Sequence, residues 1–312
     1  MSLSQWFPEV KSLNALSHVF PATLRPMRIP SLASAEELSK LEPSNMLDTP
    51  KCDGVHGRLS ISPHGVYIQD RAKKVYAVAP DYRSQQIMTQ AIILEVEVVQ
   101  PTGSNDAIIL ALIFDVCLPE SVEQQSAAWI KNWQTVCDKT WQFGKLLIMA
   151  KPVERLNPRS KFITGDDKER QFLLQGKYRV PYDGAILIDA HTGNCFKRKF
   201  EDTLDVYHAG EHQLYYYRED NRTREFLPPS ECTLIPALQP AENKGTGPVI
   251  YPIVEVMWSA KERSWKIYRP RPEKPYGNAY DTIVKTIPEA KGLKKVSCDD
   301  LEAWLQGKKS FI

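Results

Sequence analysis

Apolar and polar positions alternate through much of this chain, and the alternation predicts short strands more than long helices. The stretch Gly57-Arg58-Leu59-Ser60-Ile61-Ser62 has the two-residue period of a strand; Pro63-His64-Gly65 supplies a turn and Val66-Tyr67-Ile68 the return strand. Residues 73–78 continue the pattern, and residues 92–99 and 108–116 read as two core strands separated by a turn over 101–105. The period changes once: Ala127, Ile130, Trp133 and Cys137 stand at helical spacing and predict a helix over 122–140. Beyond it come an apolar strand at 146–150, a polar surface loop at 155–170, and a hairpin of 185–189 with 195–200 around His191-Thr192-Gly193-Asn194. Past Asp205 the texture shifts to short strands with many turns, at 214–218, 233–236, 250–258 and 265–268, which predicts a small β-barrel. The first fifty residues are rich in Pro and Ser, with one helix expected at 35–41, capped by Ser34 with Glu37 completing a capping box. A short helix at 297–305, capped by Ser297 or Asp299, ends the pattern.

Composition narrows the picture. The 312 residues are enough for two domains with separate cores, and the net charge of +2 excludes a molecule that is polybasic throughout. Any phosphate site must therefore come from local clusters of Lys and Arg. The 23 prolines favour strands and loops. The six cysteines are scattered without a C-x-x-C pair, which argues against a zinc site and fits reduced thiols in the nucleus or cytoplasm. The segment MSLSQWFPEV has neither the basic nor the apolar region of a signal peptide, and the apolar run 107–118 contains Asp115 and is too short for a bilayer span, so no membrane role is expected.

Candidate chemistry is spread along the chain in a fixed order. Lys51-Cys52-Asp53-Gly54 leads to Arg58; Asp70-Arg71, Glu95-Val96-Glu97, Phe114-Asp115 and Lys151-Pro152 follow. Then come Asp183-Gly184-Ala185-Ile186, the basic run Lys197-Arg198-Lys199, and a last stretch from Trp265 through Arg269, Arg271 and Lys274 to Asn278. Lys197 and Lys199, two apart on a strand, share one face and can aim at one phosphate, while Arg198 points away. His208 and His212 have a metal-ligand spacing only on a helix, which this segment does not form; Tyr215-Tyr216-Tyr217 fits barrel packing better than base stacking.

From Lys51 to Asn278 the chain resembles the mRNA capping guanylyltransferases, within the covalent nucleotidyltransferases that also include ATP-dependent DNA and RNA ligases. The ending W-x3-R-x-R-x2-K-x3-N is similar to capping enzymes rather than ligases. The resemblance implies an α+β fold, with a nucleotidyltransferase domain of antiparallel sheets and flanking helices over 1–205 and an OB-fold barrel domain with a C-terminal helix over 206–312. It implies Lys51 as the nucleophile toward GTP, and Asp53, Arg58, Arg71, Phe114, Lys151, Ile186, Lys197, Lys199, Arg269, Arg271 and Lys274 as nucleotide contacts. Within that set Arg58 and Arg71 would hold ribose and phosphate, Phe114 and Ile186 would sandwich the base, and Arg269, Arg271 and Lys274 would meet the leaving pyrophosphate. Glu97 and Asp183 would be the carboxylates on the Mg²⁺ or Mn²⁺ side, with Glu95 on the same strand face as Glu97. Trp265 is expected to pack in a core.

Two departures stand out. The family writes its first motif K-x-D-G-x-R, whereas Arg58 lies two residues later; its D-G-E element is here Glu95-Val96-Glu97. An ordinary lysine titrates near about 10.4, so the chemistry requires neighbouring cations or a metal to favour the free amine. Neither a phosphatase loop of the form H-C-x5-R nor a glycine-rich methyltransferase motif is found, so an RNA triphosphatase and a cap methyltransferase are expected as separate partners of the 5′-diphosphate RNA substrate pathway. Viral and cellular sources fit equally. The competing readings are an ATP-dependent polynucleotide ligase using a lysyl-AMP and a non-catalytic nucleotide- or RNA-binding module.

Overall fold

The structure is a computed structural model and describes residues 2–11, 30–32, 35–82, 92–103, 108–117, 129–166, 169–208, 214–218, 223–226, 252–259, 264–272 and 296–308, with shorter stretches at 19–27 and 274–287. Strands dominate it. In chain order they are β1 (Ser31–Leu32), β2 (Met46–Cys52), β3 (Val55–Ser62), β4 (Gly65–Asp70), β5 (Val75–Ala79), β6 (Ile92–Val99), β7 (Ile109–Val116), β8 (Thr140–Phe143) and β9 (Leu146–Ala150). There follow β10 (Glu154–Arg155), β11 (Gln171–Leu174), β12 (Tyr178–Asp189), β13 (Cys195–Lys199), β14 (Thr203–His208), β15 (Leu214–Arg218), β16 (Thr223–Phe226), β17 (Ile253–Ser259) and β18 (Ser264–Pro270). The helices are short: α1 (Ala35–Leu38), α2 (Trp129–Gln134), α3 (Lys161–Thr164) and α4 (Cys298–Leu305).

The chain divides into two compact units, the first made of Met1–Ala33, Ser39–Arg198 and Leu301–Ser310, the second of Ser34–Leu38, Lys199–Asp300 and Phe311–Ile312. In the first unit a seven-stranded sheet runs β5-β4-β3-β6-β7-β9-β8. The two-residue period explains its two faces. Leu59, Ile61, Ile68, Leu94, Val96, Val98, Ala111, Ile113 and Ile148 build one core on one face. The opposite face of β3 and β6 carries polar groups, because His56 pairs with Glu97 and Arg58 with Glu95 across the ladder. A second sheet of the same unit runs β1-β13-β12-β2-β10, with β11 on β12. Ile186 and Ile188 of β12 pack there with Leu47 of β2 and with Ile130 and Trp133 of α2. Each such fully buried aliphatic side chain contributes roughly 1.5–3 kcal/mol.

The second unit is built on a five-stranded antiparallel sheet, β16-β15-β14-β17-β18. Its inward positions Leu204, Val206, Val254, Val256, Trp265 and Ile267 form the core with Leu214 and Ile283. Trp265 is fully buried and meets Trp258 edge to face at 5.6 Å, as its expected packing role requires. Among the described residues the pairing runs from β16 to β18 along this five-strand path; the strand expected at 233–236 lies outside the described residues.

Several expectations need correction. The sheets are not purely antiparallel, since β7 pairs with β9 and β1 with β13 in parallel. The helix expected over 122–140 is described only as α2, because residues 135–138 form turns and Thr140 already begins β8; residues 122–128 lie outside the described residues. The helix at 35–41 ends at Leu38, with Ser34 outside the described residues. The Pro- and Ser-rich start hides β2, whose apolar positions are interrupted by Asp48, Thr49 and Pro50. The loop at 155–170 contains α3, whose cap residue Ser160 turns its hydroxyl to the buried Asp48 at 3.2 Å. The final helix is capped by Ser297, whose Oγ accepts from Asp300 N–H at 3.0 Å while the Asp300 carboxylate accepts from Ser297 N–H at 3.1 Å.

Candidate active site

Lys51 lies near the end of β2, opposite an irregularity in β12. Tyr182 pairs with Cys52 and Ala185 with Pro50, so Asp183 and Gly184 together face the single residue Lys51. This two-against-one count is a β-bulge, which breaks the ladder and re-aims side chains. Gly184 takes φ 158°, close to extended, so the bulge itself imposes no left-handed strain there. The result is a short ion pair: Lys51 Nζ donates to Asp183 Oδ1 at 2.6 Å and to Oδ2 at 2.8 Å. Both side chains keep a partly exposed surface, 21% and 40%.

Neighbours of this pair are reported by Cys52. Burial pushes its thiol up to about 12, opposed by the charges of Lys151 and Lys51 and reinforced by those of Glu97 and Asp183. The four charges therefore surround one buried sulfur, which stays a thiol at neutral pH and does not compete as a nucleophile. Gly54 is required by close approach. A Cβ there would stand 2.5 Å from Val99 Cγ1, 2.7 Å from Val98 O and 2.8 Å from Glu97 Cγ. The glycine of the Lys51-Cys52-Asp53-Gly54 run thus lets β6 bring Glu97 alongside. Asp53 is exposed at the bend between β2 and β3.

The two glutamates of β6 separate cleanly. Glu95 is fully buried; Arg58 Nη2 donates to its Oε1 at 3.4 Å, and His56 Nε2 lies 3.6 Å from its Oε2. Glu97 is half-buried and sits beside Gly54 and Cys52. Glu97 thus lies beside the Lys51-Cys52-Asp53-Gly54 run, and Arg58 is a buried partner of Glu95 at 6% exposure.

Phe114 occupies a second bulge. Glu95 pairs with Asp115 and Val96 with Ile113, which leaves Phe114 as the extra residue of β7. Its ring meets His56 edge-on at 5.0 Å, and Lys151 Nζ stands 5.8 Å from its centroid. Lys151 is only 3% exposed, and its N–H donates to Ile113 O at 2.8 Å, continuing β9 alongside β7. Arg71, exposed at the end of β4, donates from Nε and Nη2 to His56 Nδ1 at 3.1 and 2.8 Å. Ile186 pairs with Thr49, two residues from Lys51 along β2, and is 8% exposed within its apolar cluster. Lys197 is half-buried on β13, next to β12, and pairs with Leu32 of β1. Side-chain contacts thus link Lys151, Phe114, His56 and Arg71 in one series, and Lys51 with Asp183 in another.

His56 was not singled out by its sequence. The signal for it is a substitution: it stands at the arginine position of K-x-D-G-x-R, where the sequence places the nearest arginine two residues later at Arg58.

The remaining predicted cations gather in the second unit. Lys199 Nζ donates to Thr203 Oγ1 at 3.1 Å. Arg269 Nε and Arg271 Nη1 donate to the same oxygen, Glu255 Oε2, at 2.6 and 2.9 Å. Arg271 also reaches Asp205 Oδ1 at 3.2 Å, and Lys274 lies 3.6 Å from Asp205 Oδ2. Burial raises the Glu255 carboxyl, but the hydrogen bond from Thr203 and the bonds and charges of Arg269 and Arg271 outweigh it and hold it below its ordinary value. A bulge recurs here, since Glu255 pairs with Arg269 and Val256 with Ile267, leaving Tyr268 extra and 60% exposed. Asn278 ties the segment down: its Oδ1 accepts from Asp205 N–H and its N–H donates to Asp205 O, both at 2.7 Å.

Among the described residues no group of three or more His, Cys, Asp and Glu side chains is placed to hold a metal ion, and no helix is long and apolar enough to cross a membrane. Glu97 and Asp183, the carboxylates expected on the metal side, offer oxygen donors of the kind Mg²⁺ and Mn²⁺ take, with Asp183 engaged by Lys51.

No family model and no curated protein matches the chain. Among solved structures it is similar to the ligase domain of M. tuberculosis LigD, at 13% identity and TM-score 0.40, over 80% of this chain and 96% of that one. It is similar to mycobacterial DNA ligase D complexed with ATP and MES, at 11% identity and TM-score 0.40, over 80% and 96%. A structure described as a Lig E DNA ligase matches at 10% identity and TM-score 0.38, over 79% and 99%.

Proposed function

We propose that the chain is a covalent nucleotidyltransferase in which Lys51 takes GMP from GTP and passes it to the 5′-diphosphate end of an RNA. The observation that carries this reading is the Lys51–Asp183 pair set at a bulge, with Lys151 and Glu97 acting on the adjacent buried thiol. A lysine packed for stability alone has no need of a partly exposed partner at an irregular ladder position.

In the first step Lys51 Nζ, having passed its proton to solvent water, attacks the α-phosphorus. A P–N bond forms, the bond from the α-phosphorus to the bridging oxygen breaks, and pyrophosphate leaves with that electron pair. Asp183 holds the ammonium in place beforehand and accepts its hydrogen bonds. Glu97 and Asp183 would hold a divalent cation shared with the triphosphate, which would neutralise phosphate charge when bound. Lys151, Lys197 and Arg71 would add fixed positive charge, and Phe114 and Ile186 would flank the base. In the second step a terminal oxygen of the RNA 5′-diphosphate attacks the same phosphorus, the P–N bond breaks, and Lys51 regains a proton.

Arg269, Arg271 and Lys274, with Lys199, are assigned to the leaving pyrophosphate. Glu255 and Asp205 keep Arg269, Arg271 and Lys274 together before phosphate replaces them. The five-stranded sheet supports assigning the second unit to an OB-type domain, and the ending W-x3-R-x-R-x2-K-x3-N supports GTP and RNA capping over nick sealing. An RNA triphosphatase and a cap methyltransferase would then act as separate proteins. Incubation with α-³²P GTP or α-³²P ATP and Mg²⁺, followed by a denaturing gel, tests the reading. A GTP-specific adduct reversed by pyrophosphate is expected. An adduct with ATP alone would move the chain to the polynucleotide ligases, and no adduct with either would overturn covalent transfer.

A further inference from the structure

The geometry points to His56 as a positioning residue that sets Arg71 to grip an anionic oxygen of the nucleotide; this rests on the nucleotidyl-transfer reading above. Arg71 donates two N–H groups to one atom, His56 Nδ1, at 3.1 and 2.8 Å. A guanidinium stays protonated in proteins and cannot accept, so Nδ1 must be the acceptor and carries no proton. In the neutral ring the proton then sits on Nε2, which faces the fully buried Glu95 carboxylate at 3.6 Å. Glu95 is held in turn by Arg58. The ring edge rests on Phe114 at 5.0 Å. His56 is thus held by Arg71 and Phe114, with Nε2 turned toward Glu95 beyond hydrogen-bond distance and its side chain 5% exposed.

The arrangement runs from a buried carboxylate, through a neutral imidazole, to an exposed guanidinium. It fixes the plane of that guanidinium. Arg71 uses two of its five N–H donors on His56, and the others remain on an edge that can take a phosphate or ribose oxygen. The same imidazole touches Phe114, assigned to the base, so one ring aligns the contacts to both ends of a nucleoside phosphate. A histidine placed only to fill the core would not direct its acceptor nitrogen at an exposed arginine.

The test compares adduct formation by the full chain and by His56→Phe, His56→Asn, His56→Gln and Arg71→Met, measuring KM for the nucleotide and the rate at saturation, with melting curves to confirm folding. Asn can present an acceptor where Nδ1 stands, whereas Phe offers none and Gln places its amide near Nε2. His56→Phe, His56→Gln and Arg71→Met should each raise KM about tenfold while the saturated rate changes less than about threefold, and His56→Asn should restore KM to within about threefold. His56→Phe with Arg71→Met should be no worse than Arg71→Met alone. If His56→Phe fails to fold, the contrast between His56→Gln and His56→Asn carries the result. Unchanged KM in His56→Phe and His56→Gln, or a His56→Asn variant as defective as His56→Gln, would overturn the inference alone. Absence of any adduct from the unsubstituted protein would overturn the underlying reading and the inference with it.

Discussion

At the scale of single residues, two neighbours on one strand carry opposite chemistry. Lys51 faces an acidic partner at 2.6 Å and is partly exposed, while burial holds the Cys52 thiol protonated, up to about 12. Lys51→Arg should therefore abolish the adduct despite keeping the charge, because a guanidinium is a poor nucleophile. Arg198→Ala should keep most of it; gel labelling of the two variants side by side checks both. Gly54→Ala is the steric counterpart. Its methyl would stand 2.5 Å from Val99 Cγ1 and 2.7 Å from Val98 O, so a loss of about 1–3 kcal/mol is expected in urea unfolding. The run Lys51-Cys52-Asp53-Gly54 was legible in the sequence because its residues are adjacent. The roles of Glu95 and His56 were not, because strand alternation puts Glu95 and Glu97 on one face and says nothing about which of them an arginine and a histidine will bury.

At the scale of elements, the chemistry gathers where the ladders are irregular. Bulges set Asp183 against Lys51, expose one side of Phe114, and bring Arg269 onto Glu255. Most strands were legible from the two-residue period, β3, β4, β6, β7 and β9 among them. The bulges were not, since an inserted residue looks like any other position until its partner strand is known. β2 was missed for a related reason: Asp48 and Thr49 are buried polar residues that break the apolar signature. The acidic pair under the cationic cluster leads to a contrast between two variants. Arg271 lies largely buried between Asp205 and Glu255, so Arg271→Ala should destabilise the second unit by about 1–3 kcal/mol, since Glu255 keeps Arg269 while Asp205 is left with only the longer contact to Lys274. Lys274 is 41% exposed and touches Asp205 at 3.6 Å, so Lys274→Ala should leave stability within about 0.5 kcal/mol. It should nonetheless slow adduct formation more than it slows RNA acceptance, as rapid-quench measurement of the two steps would show.

At the scale of the whole molecule, buried groups in the two units contribute to stability with opposite dependence on pH. Burial holds the His208 imidazole of the second unit below its ordinary 6.5. The unfolded chain takes up a proton below that pH which the folded unit resists, so stability present above 6.5 is lost as pH falls. Glu255 acts in the same direction at lower pH: its contribution is present above the ordinary 4.5 and lost as pH falls through its depressed folded value. Asp48 of the first unit is the reverse, lifted by burial from 3.8 to about 7, against the opposing hydrogen bond from Ser160. Its contribution is full below 3.8 and lost as pH rises through about 7. Asp48→Asn should therefore match the unsubstituted protein in denaturant midpoint near pH 3.8 and exceed it progressively toward pH 7. A constant difference across that range would contradict the assignment. The expected division after residue 205 differs from the compact units, which part at Lys199 and place Leu301–Ser310 with the first unit, and these buried ionisable groups depend on which strands cover them.

The most direct measurement is to locate the covalent nucleotide. The protein would be incubated with GTP and Mg²⁺, digested without acid, and its peptides sequenced by mass spectrometry. The account predicts GMP on Lys51, lost on mild acid treatment as a P–N bond requires and removed by pyrophosphate with return of GTP. GMP on any other residue, or labelling that persists in Lys51→Ala, would contradict it.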